Sequence, residues 1–361
     1  MARWPTIETT GALKKGGNCF GLLRIVLSCL VIVSHSYPIG GFGVEPLLAL
    51  SKGDLTLGTF AVIGFFALSG LLIGISAEKL STGRFFAHRV RRIFPGYWAC
   101  LFVTAWVIGP IIAVVRDMPW KSVLYPPGGS ARSFVIQNLT LDIRQYALGS
   151  TLDRMPYPNA INGSLWSLAY EFACYLVVFA VIRLWIAGKR RPQFLATVTV
   201  LSIALAVVVD SIADHNVLGT IPFPFLGALS AYEFFTLWAV FLVGAVVGVH
   251  AHRVPLTLPL FAVATALATA SIPLGWYRPI GSLLTPYVLV GIGHFAPPLL
   301  RKVGARNDVS YGLYLYGFPV GQLLVASGLH WSGPTLAAPT CLATLFVAAA
   351  SWYLVERPNI R

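Results

Sequence analysis

Charge is what this sequence has least of. Only 11% of its 361 residues are charged and 57% are hydrophobic, whereas a soluble domain carries about 25% charged residues. The deficit leaves too little polar surface for a water-facing globule. It excludes the two or three soluble domains that the length alone would allow. Acids are the scarcer sign, 13 against 26 Lys and Arg, for a net charge of +13. Cysteines stand at 19, 29, 100, 174 and 341 with no C-x-x-C pair, a pattern that argues against a zinc or redox motif and for buried free thiols. No A-x-A cleavage site follows the first apolar run from Phe20, so that run reads as a retained helix rather than a removed leader. There is no internal repeat or low-complexity tract, and no appended soluble domain is expected after Arg357.

What the chain does have is long apolar runs. A membrane helix needs about 20 mostly apolar residues, and the runs predict helices near 20–39, 57–77, 94–115, 165–187, 194–213, 231–250, 255–274, 280–299, 309–328 and 336–354. The expected fold is all-α, a polytopic transmembrane bundle of about ten helices forming one domain over 1–361, with the lipid bilayer as its partner. Lys and Arg crowd one set of connections, from Lys14, Lys15, Arg84 and Arg89 through Lys189–Arg191 and Arg301–Arg306 to Arg357 and Arg361. By the positive-inside rule both termini are cytoplasmic, and residues 1–19 form a cytoplasmic tail. The +13 is then an inside-facing anchor, and a nucleic-acid partner is excluded. The stretch 116–164, with Pro126-Pro127-Gly128-Gly129 and mixed charges, is a long outer loop suited to covering an outward-facing site. Asn138-Leu139-Thr140 and Asn162-Gly163-Ser164 match the glycosylation pattern, which arises often by chance.

Polar residues at membrane depth are expensive and mark candidate sites. Arg24 and His35 are 11 residues apart on the first helix, about 20° from one face and ~16 Å apart along the axis. Alternatively Arg24 snorkels to the inner headgroups and His35 rests at the outer interface. In the second helix, small residues at 64, 69, 70 and 74 allow close helix approach. Ser69 there is a polar contact for a pocket, not a nucleophile, because no G-x-S-x-G elbow surrounds it. Arg89 and Arg92, at i and i+3, share a face if helical. Paired guanidiniums suit a phosphate, although an inside anchor explains them equally. Glu171 lies about two turns into the fourth helix, with Ser164 a candidate cap, and should face the bundle and find a partner. His250 and His252 lack the further ligands of a metal site, so no metal is expected. His88, His215, His294 and His330 read as interfacial or core.

Taken in order, Arg24 with ten residues before His35, Phe65-Phe66-x-x-Ser69-Gly70, Arg89-x-x-Arg92-Ile93-x-Pro95-x-Tyr97, Trp166-Ser167-Leu168-x-x-Glu171, Ser310-Tyr311-x-x-Tyr314-Leu315 and Val355-Glu356-Arg357-Pro358 span most of the chain. Together they make it resemble the membrane-bound acyltransferase 3 family. The resemblance implies an O-acyltransferase of the bacterial inner membrane. Such an enzyme moves an acyl group, usually acetyl, from cytoplasmic acyl-CoA to a hydroxyl of an extracytoplasmic acceptor, typically a cell-surface carbohydrate. No bound cofactor is implied, acyl-CoA being the donor substrate. Relatives often carry a histidine where this chain has Gly317, so any role of that histidine is absent or moved.

On this reading His35 is the base that takes the hydroxyl proton, since imidazole suits neutral pH. Glu171 orients or charge-balances it by analogy with other base–carboxylate pairs. Arg24, Arg89 and Arg92 hold the CoA phosphates, and Ser69, Trp166 and Tyr311 line the substrate pocket. A secondary transporter would also bury Glu, Arg and His, but no inverted repeat is evident. A non-catalytic membrane component of polysaccharide assembly is the other alternative.

Overall fold

The computed structural model describes residues 4–14, 16–125, 129–212, 215–329 and 331–360. Lys15, Pro126-Pro127-Gly128, His330, Arg361 and the side chain of His215 lie outside the described residues. In chain order the elements are α1 (Phe20–Gly40), α2 (Pro46–Leu50), α3 (Leu57–Lys79), α4 (Thr82–Val103), α5 (Gly109–Val115), α6 (Ala131–Gln137), α7 (Ser167–Ala187) and α8 (Pro192–Asp210). Then follow the hairpin β1 (Thr220–Phe223) and β2 (Gly227–Ser230), α9 (Ala231–Val249), α10 (Leu258–Leu274), α11 (Ser282–Phe295), α12 (Ser310–Ala326), α13 (Gly333–Ser351) and α14 (Arg357–Ile360). Among the described residues, seven helical stretches are long and apolar enough to cross a membrane. Each of the ten expected runs carries a helix, but α10, α11 and α12 have 17, 14 and 17 residues, short of a straight span of about 20. Large apolar side chains such as Phe102, Leu201, Leu267 and Phe346 point outward. In water such a surface would aggregate; against lipid it is the ordinary exterior of an α-helical membrane bundle.

Helix α3 is the axis of the bundle. It packs against α1, α7, α9 and α11. Its small residues explain how close the neighbours come. A Cβ on Gly70 would lie 2.1 Å from the Phe241 carbonyl oxygen of α9, and one on Gly74 2.6 Å from that of Ala245. The fit is reciprocal, because Gly244 and Gly248 of α9 would collide with the carbonyls of Ala67 and Leu71. Backbone–backbone approach of this kind is the usual use of small residues between membrane helices.

One expectation is corrected. The helix expected to begin at 94 begins at Thr82, so Arg84–Arg92 lie on α4 and not in a connection. An apolar window misses such a turn, because arginine stems lie along apolar surface while their heads reach polar ground. The run then continues through a π-helical turn at Thr104–Ile108 into α5, where Pro110 can donate no backbone N–H to the preceding turn. The stretch 116–164 is not bare coil. It holds the capped helix α6 and a coil cross-linked by its own side chains. Asn138 accepts from the Arg144 and Gln145 amides and donates to the Gln145 carbonyl, and Arg116 binds the Thr151 and Asp153 carbonyls. Asn138 and Asn162 are buried, so neither glycosylation pattern is available in the folded chain.

The N-terminal segment also packs. Ile7 and Glu8 donate to the carbonyls of Val254 and Ala251, and Leu256 donates to that of Pro5. The segment thus closes over the connection between α9 and α10.

Candidate active site

Two cavities sit on either side of one narrow point in the bundle. The first is a slot at the end of the bundle where the basic residues gather, between α1, α3, α4, α7 and α12. Arg24, Ser69, Arg89, Arg92, Glu171 and Tyr311 all line it, with about 140 Å³ of open space. That is about a third of the open space in the second cavity described below. Arg92 donates to Asp308 Oδ2 at 2.7 Å and Arg24 approaches the same oxygen at 3.2 Å. Arg89 has no acid partner among the described residues. Its guanidinium lies 5.8 Å over the Phe85 ring and 5.9 Å over the Tyr175 ring. The Nε atoms of Arg24 and Arg89 are buried with no hydrogen-bond partner. Three guanidiniums gather in one slot, with Glu171 in its wall and Asp308 beside two of them, and the unpartnered Nε–H groups of Arg24 and Arg89 are donors of the kind that a phosphate ligand takes.

Asp308 is a residue that the sequence reading passed over. Burial pushes its carboxyl up, but Arg92 and Arg24 beside it, with hydrogen bonds from Ser310, outweigh this and hold it below the usual carboxylate range. The signal available was its scarcity: in a chain with 13 acids, an Asp directly before an apolar run needs a cationic partner.

The second cavity, about 420 Å³, opens between α1, the 43–59 segment and α7. His35, Glu45, Trp166 and Tyr314 line it. His35 Nδ1 faces Ser164 Oγ at 3.4 Å, and its ring meets the edge of Phe318 at 5.0 Å between centroids. Ser164 does not cap α7, whose N-cap position is Trp166 with no side-chain cap. It is held toward α1 because Asn162 anchors the loop, donating to the Leu315 carbonyl at 2.9 Å and accepting from the Ser164 amide. Glu45 is the other residue missed. Its carboxylate accepts from Ser34 Oγ and from the Leu57 amide at the start of α3.

Val62 and Tyr314 line both cavities. The Tyr314 hydroxyl donates to the Ser164 carbonyl at 2.7 Å and accepts from Ser167 Oγ at 2.5 Å. It is therefore fixed at the partition between them. The site residues expected from sequence divide accordingly. Arg24, Arg89, Arg92, Ser69, Glu171 and Tyr311 share the slot, while His35 and Trp166 share the chamber. Glu171 is not brought to His35. Its Oε1 accepts from Ser69 Oγ at 2.7 Å and from the Tyr175 hydroxyl at 2.5 Å, so the carboxylate is engaged on the slot side. Tyr311 spends its hydroxyl on the Ile93 carbonyl and offers its ring beneath Arg92, 5.7 Å away. Gly317 packs on Ile32, where a Cβ would come within 2.5 Å; a histidine has no room there beside this α1. His250 lies tilted against Trp185 and stacks near His252, and among the described residues no group of three or more His, Cys, Asp and Glu is arranged for a metal ion.

The family model described as Acyltransferase domain matches residues 18–355. The chain is similar to a protein named O-acetyl transferase from Shigella phage Sf6, 28% identical over 94% of this chain and 95% of the relative. It is also similar to Nodulation protein 10 of Rhizobium leguminosarum bv. viciae, 29% identical over 95% of this chain and 93% of the relative. No solved structure matches significantly.

Proposed function

The chain belongs to the acyltransferase 3 family, and from that premise we propose that it is an O-acetyltransferase working across a bacterial inner membrane. Its donor is cytoplasmic acetyl-CoA, and its acceptor is a hydroxyl of an extracytoplasmic carbohydrate. Both termini then lie in the cytoplasm, ten helices traverse or enter the bilayer, and 116–164 faces outward. The relative named O-acetyl transferase supports the acyl group. The observation that carries the reading is the pairing of an arginine-lined slot with a His35 chamber across one partition at Val62 and Tyr314.

The division of labour follows from which group sits where. Arg24, Arg89 and Arg92 bind the donor's phosphates at the mouth of the slot. The narrow slot takes its extended arm toward Tyr314. Glu171, held by Ser69 and Tyr175, accepts hydrogen bonds from amide N–H groups of that arm, a role in place of the imidazole partnership expected from sequence. In the chamber His35 gives Nδ1–H to Ser164 Oγ, which leaves the Nε2 lone pair free. The acceptor O–H proton passes to Nε2 as its oxygen attacks the thioester carbonyl carbon. The C–S bond breaks, the CoA sulfur takes the proton from the imidazolium, and an ester and free CoA leave.

The test is transfer of labelled acetyl from acetyl-CoA to glycoside acceptors by the full chain in lipid nanodiscs. General-base catalysis typically contributes 10²–10⁴-fold, so His35→Ala should lower transfer by roughly that factor with acetyl-CoA affinity retained. Transfer by the wild type should fall at acid pH, where the ring is already protonated. A correctly inserted His35→Ala protein with near-normal transfer would exclude this mechanism.

A further inference from the structure

Glu45 has no part in the chemistry above, yet it is the acid of the acceptor chamber. It is 5% exposed, and among the described residues no Lys or Arg lines the cavity that it shares with His35. Burying a carboxylate without a cation is costly unless hydrogen bonds compensate. Two do so here, from Ser34 Oγ to Oε2 and from the Leu57 amide to Oε1. A carboxylate has about four acceptor positions, so each oxygen of this cavity-lining residue keeps acceptor capacity. The surroundings are apolar or hydroxylated: Trp166, Tyr37, Thr56 and Thr59 complete that part of the wall.

We propose that Glu45 determines acceptor specificity: it accepts a hydrogen bond from a hydroxyl of the acceptor other than the one acylated, and it excludes acceptors that carry a negative charge. The inference rests on the chamber being the acceptor site. The chemical class it selects is a neutral polyhydroxylated molecule. A neutral sugar presents a second hydroxyl to the free lone pairs while its apolar face lies against the Trp166 indole. An anionic sugar brings a second negative charge into a cavity where no described residue offers a cation, and like-charge juxtaposition in a desolvated site is unfavourable. Specificity here comes from repulsion as well as from the new hydrogen bond.

The experiment separates this inference from the acyl-transfer reading by leaving out the donor. The full chain in nanodiscs is titrated with methyl glucopyranoside and with methyl glucuronopyranoside, and binding is read by saturation-transfer NMR. The wild type should prefer the neutral glycoside by at least about tenfold. Glu45→Gln should bring the two within about twofold, with acetyl-CoA affinity held. Should that variant fail to fold, Val44→Lys serves: Val44 is 67% exposed and lines the same cavity, so a lysine there offsets the charge without touching the Glu45 hydrogen bonds, and uronoside binding should rise. Ser34→Ala should keep the neutral preference, because it removes a partner and not the charge. Equal binding of both glycosides by the wild type, binding of neither, or a preference that survives Glu45→Gln or Val44→Lys would overturn the inference. Charge-selective binding without acetyl transfer would uphold the subsite and count against the acyl-transfer reading instead.

Discussion

Arginine at the inner end of a membrane bundle is expected from orientation alone, so what separates Arg89 from an anchor is its surroundings. An anchor reaches out to headgroups, whereas Arg89 lies over the Phe85 and Tyr175 rings with a buried, unpartnered Nε. If it holds a donor phosphate, Arg89→Ala should weaken acetyl-CoA binding by roughly 1.5–3 kcal/mol, the worth of a hydrogen bond to a charged group. Calorimetric titration measures it, and unchanged affinity in a folded variant would return Arg89 to the role of anchor. Asp308 carries a different expectation. Its side chain is 14% exposed and its two arginines 26% and 28%, between the surface and buried regimes. Asp308→Asn should therefore cost on the order of 2 kcal/mol of stability at neutral pH. The sign with pH follows from its lowered pKa. The stabilisation is present above the unfolded carboxylate value, about 3.9, and is lost as pH falls through the still lower folded value. Thermal melts of wild type and Asp308→Asn should differ at pH 7 and converge at the acid end; a constant offset would remove Asp308 from the account.

At the scale of elements, the α3–α9 contact depends on absent side chains. Gly70→Val would drive a branched side chain into the Phe241 carbonyl, where even a Cβ comes within 2.1 Å. Overpacking typically costs about 1–3 kcal/mol, and a backbone obstacle cannot rotate away, so the upper end is expected. Gly64→Ala should be milder, because its neighbour is the end of the Leu27 side chain. A melt in which Gly70→Val loses no more stability than Gly64→Ala would show that the Phe241 backbone yields as readily as the Leu27 side chain. Gly317 makes a second contrast. The obstacle there is the Ile32 side chain, so Gly317→His should destabilise alone and be relieved when Ile32→Ala is added. Additive losses in the double variant would mean that the position is closed by something other than Ile32.

For the whole molecule, orientation is the premise on which donor and acceptor sides rest. In a cysteine-free background, Arg132→Cys should react with an impermeant thiol reagent added from outside, and Lys189→Cys should be spared; both positions are exposed. The reverse pattern would exchange the two sides. The helical bundle, its apolar runs and the shared helix face of Arg89 and Arg92 were determined by the sequence itself, because hydropathy over about 20 residues and spacing along one helix are local quantities, whereas bringing Arg24 of α1 to them took the packing of two helices. The start of α4 at Thr82 was not legible, since its charged first turns carry no apolar window. Which carboxylate meets which cation was decided by tertiary structure alone. Asp308 lies 216 residues from Arg92 in the chain, and Ser164 lies 129 from His35. Glu171 and His35 looked like one pair because both are polar at membrane depth, but the packing of α7 on α3 turns Glu171 to Ser69 and the slot. The carboxylate that lines the cavity with His35 is Glu45, placed there by a loop that runs from the end of α1 to the first amide of α3. No local period records where such a loop will fold, and only the assembled bundle does.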